Sequence, residues 1–279
     1  MTIFSQELKS SLAKLITWTM VLAVFVGLIT AFYPMIVKEN MALLIQGFIE
    51  NLRDTLQVAL GLNLNDNFDF ENLSYYLGLT YQFLSFLTAV FAIQIGAKAL
   101  SKEQESGNIQ YIYSNPISRS EIVTQKFLAS LLVYVIFLIL LALGSFGIAY
   151  AFKLESTDIM DLLTSIGLIY AGLLGSGLVY LSLGYFVSSF MRNATHAETI
   201  GVILTILSVI GIVILNINAQ ANVENSMISL GIFLPLAAFN PLRLVQYNFD
   251  IVAMAANIIY IIVFLALTYV VYGSKDLKY

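Results

Sequence analysis

The chain has 279 residues, of which 59% are hydrophobic and only 11% charged, with a mean hydropathy of +0.87. Soluble domains carry about 45–50% apolar and about 25% charged residues, so this composition excludes a soluble globular protein and a disordered chain. A formal net charge of -4 leaves no basic footprint for nucleic acid, and the absence of cysteine removes disulfides and thiolate metal sites. What remains is an all-α polytopic membrane bundle in which lipid takes the place of the missing polar shell.

In chain order, Phe4, Leu8, Leu12 and Leu15 fall at helical spacing, with Gln6, Glu7, Lys9, Ser10 and Lys14 elsewhere on the wheel. The pattern predicts an amino-terminal interfacial helix, with a frayed start of the first span as the alternative. A bilayer core needs roughly 20 apolar residues as helix. Six stretches meet or approach that length: Leu15–Val37, Leu77–Ala97, Phe127–Phe152, Leu162–Met191, Thr199–Leu215 and Ile251–Tyr272. None contains Asp, Glu, Lys or Arg, and the strict alternation of a β-barrel is absent. The first is too long for the core of a signal peptide and is read as retained.

Between the first two spans lies an external segment, residues 38–76. Met41, Leu44, Ile45, Phe48, Ile49, Leu52, Leu56 and Leu60 keep a 3.6-residue period there, opposite Glu50, Arg53, Asp54 and Gln57. This predicts one amphipathic helix on the outer surface, stopped by Gly61. Ser118-Arg119-Ser120-Glu121 and Thr195-His196-Ala197-Glu198 read as capping boxes before the third and fifth spans, and Asp158 and Asp250 as caps of the fourth and sixth. In the fourth span Gly172 and Ser176, with Ala171 and Gly175, give small-x-x-x-small spacing for close helix packing, within the chain or across a dimer. Met227–Phe239 is apolar but too short to cross. It is either a re-entrant hairpin from outside or an external cap, with Pro235 and Pro241 punctuating its end.

Orientation follows the basic residues. With the amino terminus inside, Lys9, Lys14, Lys98, Lys102, Arg119, Lys126, Arg192, Lys275 and Lys278 are cytoplasmic, and only Lys38, Arg53, Lys153 and Arg243 are outside. The chain is therefore expected to place both termini in the cytoplasm, with residues 1–279 forming a single transmembrane domain. The sole histidine, His196, lies beside Arg192 in a cytoplasmic turn and reads as a solvated connector. No G-x-x-x-x-G-K-[ST] stretch occurs, so no P-loop nucleotide site is expected. Spans without ionisable groups weigh against ion-coupled transport and against an intramembrane enzyme.

The densest polar stretch on the inner side is the loop 98–126. It opens Lys/Glu-rich, places Ile109 and Ile112 at helical positions, breaks before Pro116 and leads into the capped third span. An exposed short helix there is either a docking knob for a cytoplasmic partner or a solvated connector.

The loop resembles the signature of ABC-2-type permeases, the membrane subunits of ABC exporters. The matching residues are Glu103 and Glu105, Gly107, Ile109 and Ile112, then Pro116, Ser118, Arg119, Glu121 and Lys126. Tyr33-Pro34, Leu60-Gly61 and Tyr76-Leu77 extend the likeness, and the six-span layout spreads it over the whole chain. The resemblance implies a coupling helix seated in a groove of a separate ABC ATP-binding subunit. Glu103 and Glu105 would meet basic groups of that subunit, Gly107 would allow close backbone approach, and Pro116 and Ser118 would fix the turn. Arg119 would anchor to headgroups or to an acidic partner, unless it and Lys126 are simple positive-inside anchors. The resemblance further implies no catalytic activity in this chain, ATP and Mg on the partner ATPase, export across a bacterial cytoplasmic membrane, and a second permease chain, identical or related. A non-transporting scaffold or an immunity or sensor protein is the competing reading, motivated by the external helix.

Overall fold

The computed structural model describes residues 3–39, 41–61, 69–102, 118–155, 157–221 and 226–275. Six of its helices are long and apolar enough to cross a membrane. They are α1 (Ile3–Ala31), α2 (Leu73–Ala99), α3 (Arg119–Phe152), α4 (Ile159–Phe190), α5 (Ala194–Ala221) and α6 (Ile251–Ser274). No strand occurs among the described residues.

Helix α1 runs unbroken from Ile3 to Ala31, so the amino-terminal segment and the first span form one rod. Pro34 then starts the short helix Tyr33–Lys38. A proline inside a helix removes a donor and clashes with the carbonyl four residues back, which accounts for the break at Phe32. The segment between α1 and α2 departs from the predicted single helix. It forms Met41–Glu50 and Asp54–Leu60, separated at Asn51–Arg53. The Asn51 amide Nδ2 donates to the Gly47 carbonyl at 2.6 Å, and Gln57 Nε2 reaches back to the Ile49 and Leu52 carbonyls. These amides satisfy acceptors that the broken helix leaves open. Gly61 ends the second piece as predicted, at φ 66° in the left-handed region.

The predicted caps hold at three of four positions. Ser118, Asp158 and Asp250 each accept a backbone N–H of the helix they open. The fourth is corrected. Asn193 Oδ1, not Thr195, accepts from the His196 N–H at 2.9 Å, so α5 begins at Ala194 and Thr195 lies inside it. Asparagine is as good a cap as threonine or better, and it comes first in the chain. The fifth span is correspondingly longer than the predicted Thr199–Leu215.

At the centre, α2 and α4 lie parallel and in register. Ser74 Oγ donates to Asp161 Oδ2 at 2.9 Å near one end. The hydroxyls of Tyr81 and Tyr170 meet in the middle at 2.5 Å, and Ser145 of α3 bonds to both. Near the other end Gly96 and Gly184 bring the two backbones into contact. A Cβ on Gly184 would lie 2.6 Å from the Ile93 carbonyl oxygen. Helices α1 and α3 pack on one another and against this pair, while α5 packs on α2 and α6 on α4. The outward faces carry exposed Val24, Leu28, Leu143, Leu207, Ile262 and Val270, as a lipid-facing surface requires.

Between α5 and α6 come a 3-10 helix, Ser226–Phe233, and the short helices Pro235–Ala238 and Pro241–Val245. Leu236, Leu242 and Leu244 are buried. Leu242 abuts Gly78 of α2, Leu244 sits against Gly172 of α4, and the Phe239 ring covers Gly175. Gly172 and Gly175 of the small-residue stripe of α4 are thus covered by this wedge, while Ala171 stays exposed.

Candidate functional site

The candidate site is the base of the segment joining α2 to α3. Glu103, Glu105, Gly107, Ile109, Ile112 and Pro116 lie outside the described residues, whereas Ser118, Arg119 and Glu121 lie within them.

Ser118 is the N-cap of α3. Its Oγ accepts from the Glu121 N–H at 3.2 Å, which leaves the Glu121 carboxylate to accept from Gln125 Nε2 one turn on. Arg119 does something the sequence does not disclose. Its Nη1 donates to the carbonyls of Gly273 at 2.9 Å and Lys275 at 2.7 Å, with Tyr272 at 3.4 Å. A cation at the carboxyl end of a helix satisfies orphan carbonyls and complements the helix dipole. The start of α3 is therefore clamped to the end of α6. Thr124 adds a contact one turn further, with its hydroxyl 2.8 Å from that of Tyr269.

The end of α2 is held from two sides. Ser188 Oγ of α4 accepts from the N–H groups of Leu100 and Ser101 at 2.9 and 3.0 Å. Lys102, four residues into the loop, donates to both oxygens of Glu7 at 3.1 Å and to Ser10 Oγ at 2.9 Å. Lys126, one of the basic residues of the loop signature, is fully buried. Its Nζ donates to the Ala99 carbonyl at 2.5 Å and stands 3.6 Å from Glu7 Oε2. One buried carboxylate on α1 thus ties together the end of α2 and the first turns of α3. A buried ammonium without such a partner would be strongly unfavourable.

A second cluster lies nearby. Glu198 of α5 pairs with Lys14 of α1 at 3.0 Å and approaches Lys98 of α2 at 4.0 Å. This is the glutamate assigned from sequence to a capping box. Lys275 donates to the Met191 carbonyl at 2.8 Å. Burial, together with the Arg192 charge beside it, pushes its amine down to about 8. His196 is exposed on the first turn of α5.

Sequence reasoning missed Glu7, Ser10 and Ser188 as parts of this base. Glu7 pairs with Lys102 across 95 positions, and no local pattern signals such a partner. Among the described residues no group of three or more His, Cys, Asp or Glu side chains is close enough to hold a metal ion. Five of the six long helices (α1, α2, α3, α4 and α6) meet at one ring of hydrogen bonds and ion pairs around the loop's two ends.

Comparison with family models matches residues 1–277 to the family described as ABC-2 family transporter protein. No curated protein matches the chain.

Proposed function

We propose that this chain, which belongs to the ABC-2 transporter family, is the permease subunit of an ATP-driven exporter, moved by a separate ATP-binding subunit docked on the loop between α2 and α3. The family consists of membrane components that lack an ATPase of their own, and its members work with an ABC ATP-binding partner in general. In the proposed arrangement Glu103 and Glu105 face basic groups of the partner. Gly107, Ile109 and Ile112 seat the loop in the partner's groove, and Pro116 directs the chain into α3. ATP and Mg reside on the partner. The membrane is the bacterial cytoplasmic membrane, both termini lie inside, and two permease chains complete the assembly.

One observation carries the reading: both ends of the loop are fixed to the bundle by buried or multidentate contacts. Lys102 and Lys126 are held by Glu7, and Arg119 is held by the carboxyl end of α6. A force applied to a loop anchored this way reaches α1, α3 and α6 without being lost in side-chain rearrangement. A solvated connector has no need of a fully buried lysine at its root.

The test is reconstitution with the ATP-binding subunit. Wild-type chain retains that subunit through purification and stimulates its ATP hydrolysis in vesicles, whereas Glu103→Arg with Glu105→Arg abolishes both. Retention and stimulation unchanged by the double reversal would overturn the docking role.

A further inference from the structure

At the end of the bundle opposite the loop, a cavity of about 770 Å3 opens between α2, α5, the short helix Asp54–Leu60 and the wedge that precedes α6. Its size falls in the range of small-molecule sites, about 300–1,000 Å3. One wall is apolar, formed by Phe83 and Phe86 of α2 and Val209 and Ile212 of α5. The other carries Asn216, Arg243 and Gln246.

The polar groups at this cavity divide into two kinds. Gln82 and Asn240 are used up structurally. Asn240 Nδ2 donates to Gln82 Oε1 at 3.1 Å, Gln82 Nε2 donates to the Gly61 carbonyl at 3.2 Å, and Asn240 Oδ1 caps Pro241–Val245. The side chains of Asn216, Arg243 and Gln246 have no hydrogen-bond partner among the described residues, and no described carboxylate lies within ion-pair distance of Arg243. Arg243 is also one of few basic residues on this side of the chain, where lysine and arginine are sparse. An arginine half-buried beside aromatic and aliphatic walls, and unpaired there, invites an anion.

We propose that this cavity binds an anionic amphiphile. Its head, a phosphodiester or a carboxylate, is held by Arg243 with the amides of Asn216 and Gln246, and its hydrocarbon body lies on Phe83, Phe86 and Ile212. The two halves of the cavity match the two halves of such a molecule. The guanidinium presents a planar fork to two oxygens, and the amides supply further donors. The site lies roughly three turns along α2 from the end that carries the external segment, a depth at which a lipid head and the upper part of its chains can enter together. The inference needs the cavity alone and stands whether or not an ATPase drives the chain.

The test uses the purified full chain in a maltoside detergent, with thermal unfolding followed as ligand is added. The probes are dioleoylphosphatidylglycerol, dioleoylphosphatidylcholine, oleate and inorganic phosphate. A ligand that binds only the folded state raises the midpoint with concentration. Phosphatidylglycerol, oleate or both stabilise the wild type, while phosphatidylcholine and inorganic phosphate do not. Response to phosphatidylglycerol alone assigns the bilayer's own lipid as the occupant, and response to oleate alone assigns a free carboxylate amphiphile. Arg243→Gln raises the half-saturating concentration at least fivefold, Arg243→Lys raises it less, and Ile212→Trp removes the response by filling the cavity with the arginine intact. The Ile212→Trp variant decides the matter if Arg243→Gln does not fold. Wild-type binding in the folded variants, an equal response to phosphatidylcholine, or no response to either anionic amphiphile overturns the proposal.

Discussion

Lys126 Nζ stands 3.6 Å from Glu7 Oε2, with the lysine fully buried and the glutamate nearly so. The two residues are more than a hundred positions apart, on α3 and α1. Breaking a buried pair by removing one partner leaves an uncompensated charge, whereas removing both with apolar groups of like shape is often tolerated. Glu7→Gln is therefore expected to lower stability by on the order of 3 kcal/mol. Adding Lys126→Met to it recovers a large part of that loss. Thermal unfolding of the single and double variants in detergent checks this, and a double variant less stable than Glu7→Gln contradicts it.

Arg119 closes the end of α6 through the carbonyls of Gly273 and Lys275. Charge-assisted hydrogen bonds of this kind contribute about 1.5–3 kcal/mol. Arg119→Gln should let the last turn of α6 fray and raise amide exchange over residues 271–275 about tenfold, with exchange in the middle of α6 unchanged. Hydrogen-exchange mass spectrometry reads both regions in one experiment.

The glycines divide sharply by surroundings. A Cβ at Gly96 would run into the Leu181 carbonyl, and one at Gly184 into that of Ile93, whereas one at Gly144 or Gly147 would meet nothing within 4 Å. Backbone cannot rotate out of the way as a side chain can. Gly96→Ala and Gly184→Ala should each cost about 1–3 kcal/mol. Gly144→Ala and Gly147→Ala should be neutral or stabilise by up to about 1 kcal/mol, since alanine is the better helix former. Unfolding midpoints of the four variants test the ranking.

Lys275 has its amine lowered to about 8 by burial and by Arg192. The folded state therefore disfavours the charged form. That penalty is present below about pH 8 and is relieved as pH rises from there towards the ordinary lysine value of about 10.4. An acylating reagent at pH 8 should modify Lys275 well ahead of an ordinary lysine amine, as peptide mapping will show. Arg192→Gln removes one cause of the shift and should slow that reaction.

Short-range chemistry was legible in the sequence. Ser118, Asp158 and Asp250 cap the helices they precede because an N-cap is decided within three residues, and Gly61 ends its helix because only glycine enters the left-handed region freely. Six spans free of Asp, Glu, Lys and Arg followed from hydropathy. Three features needed the folded chain. Asn193 took the cap from Thr195 because two good caps stood two residues apart and the first one won. The helix predicted over Met41–Leu60 broke at Asn51–Arg53 because Asn51 and Gln57 offered the backbone a competing set of hydrogen bonds. The root of the loop depends on Glu7, whose place on an amphipathic wheel marked it as solvent-facing until α2 and α3 covered it.

The seam between Gly96 and Gly184 has a mechanical meaning. Two backbones touching without side chains between them have no rotamers to reset, so sliding one past the other meets hard contact at every step short of separation. With Ser188 stitched to the end of α2 and Ser74 to Asp161 at the other end, α2 and α4 travel as one beam. Relative movement within the bundle is then left to the seams around that beam, among them those where α5 and α6 lean against it with most of their surface turned outward.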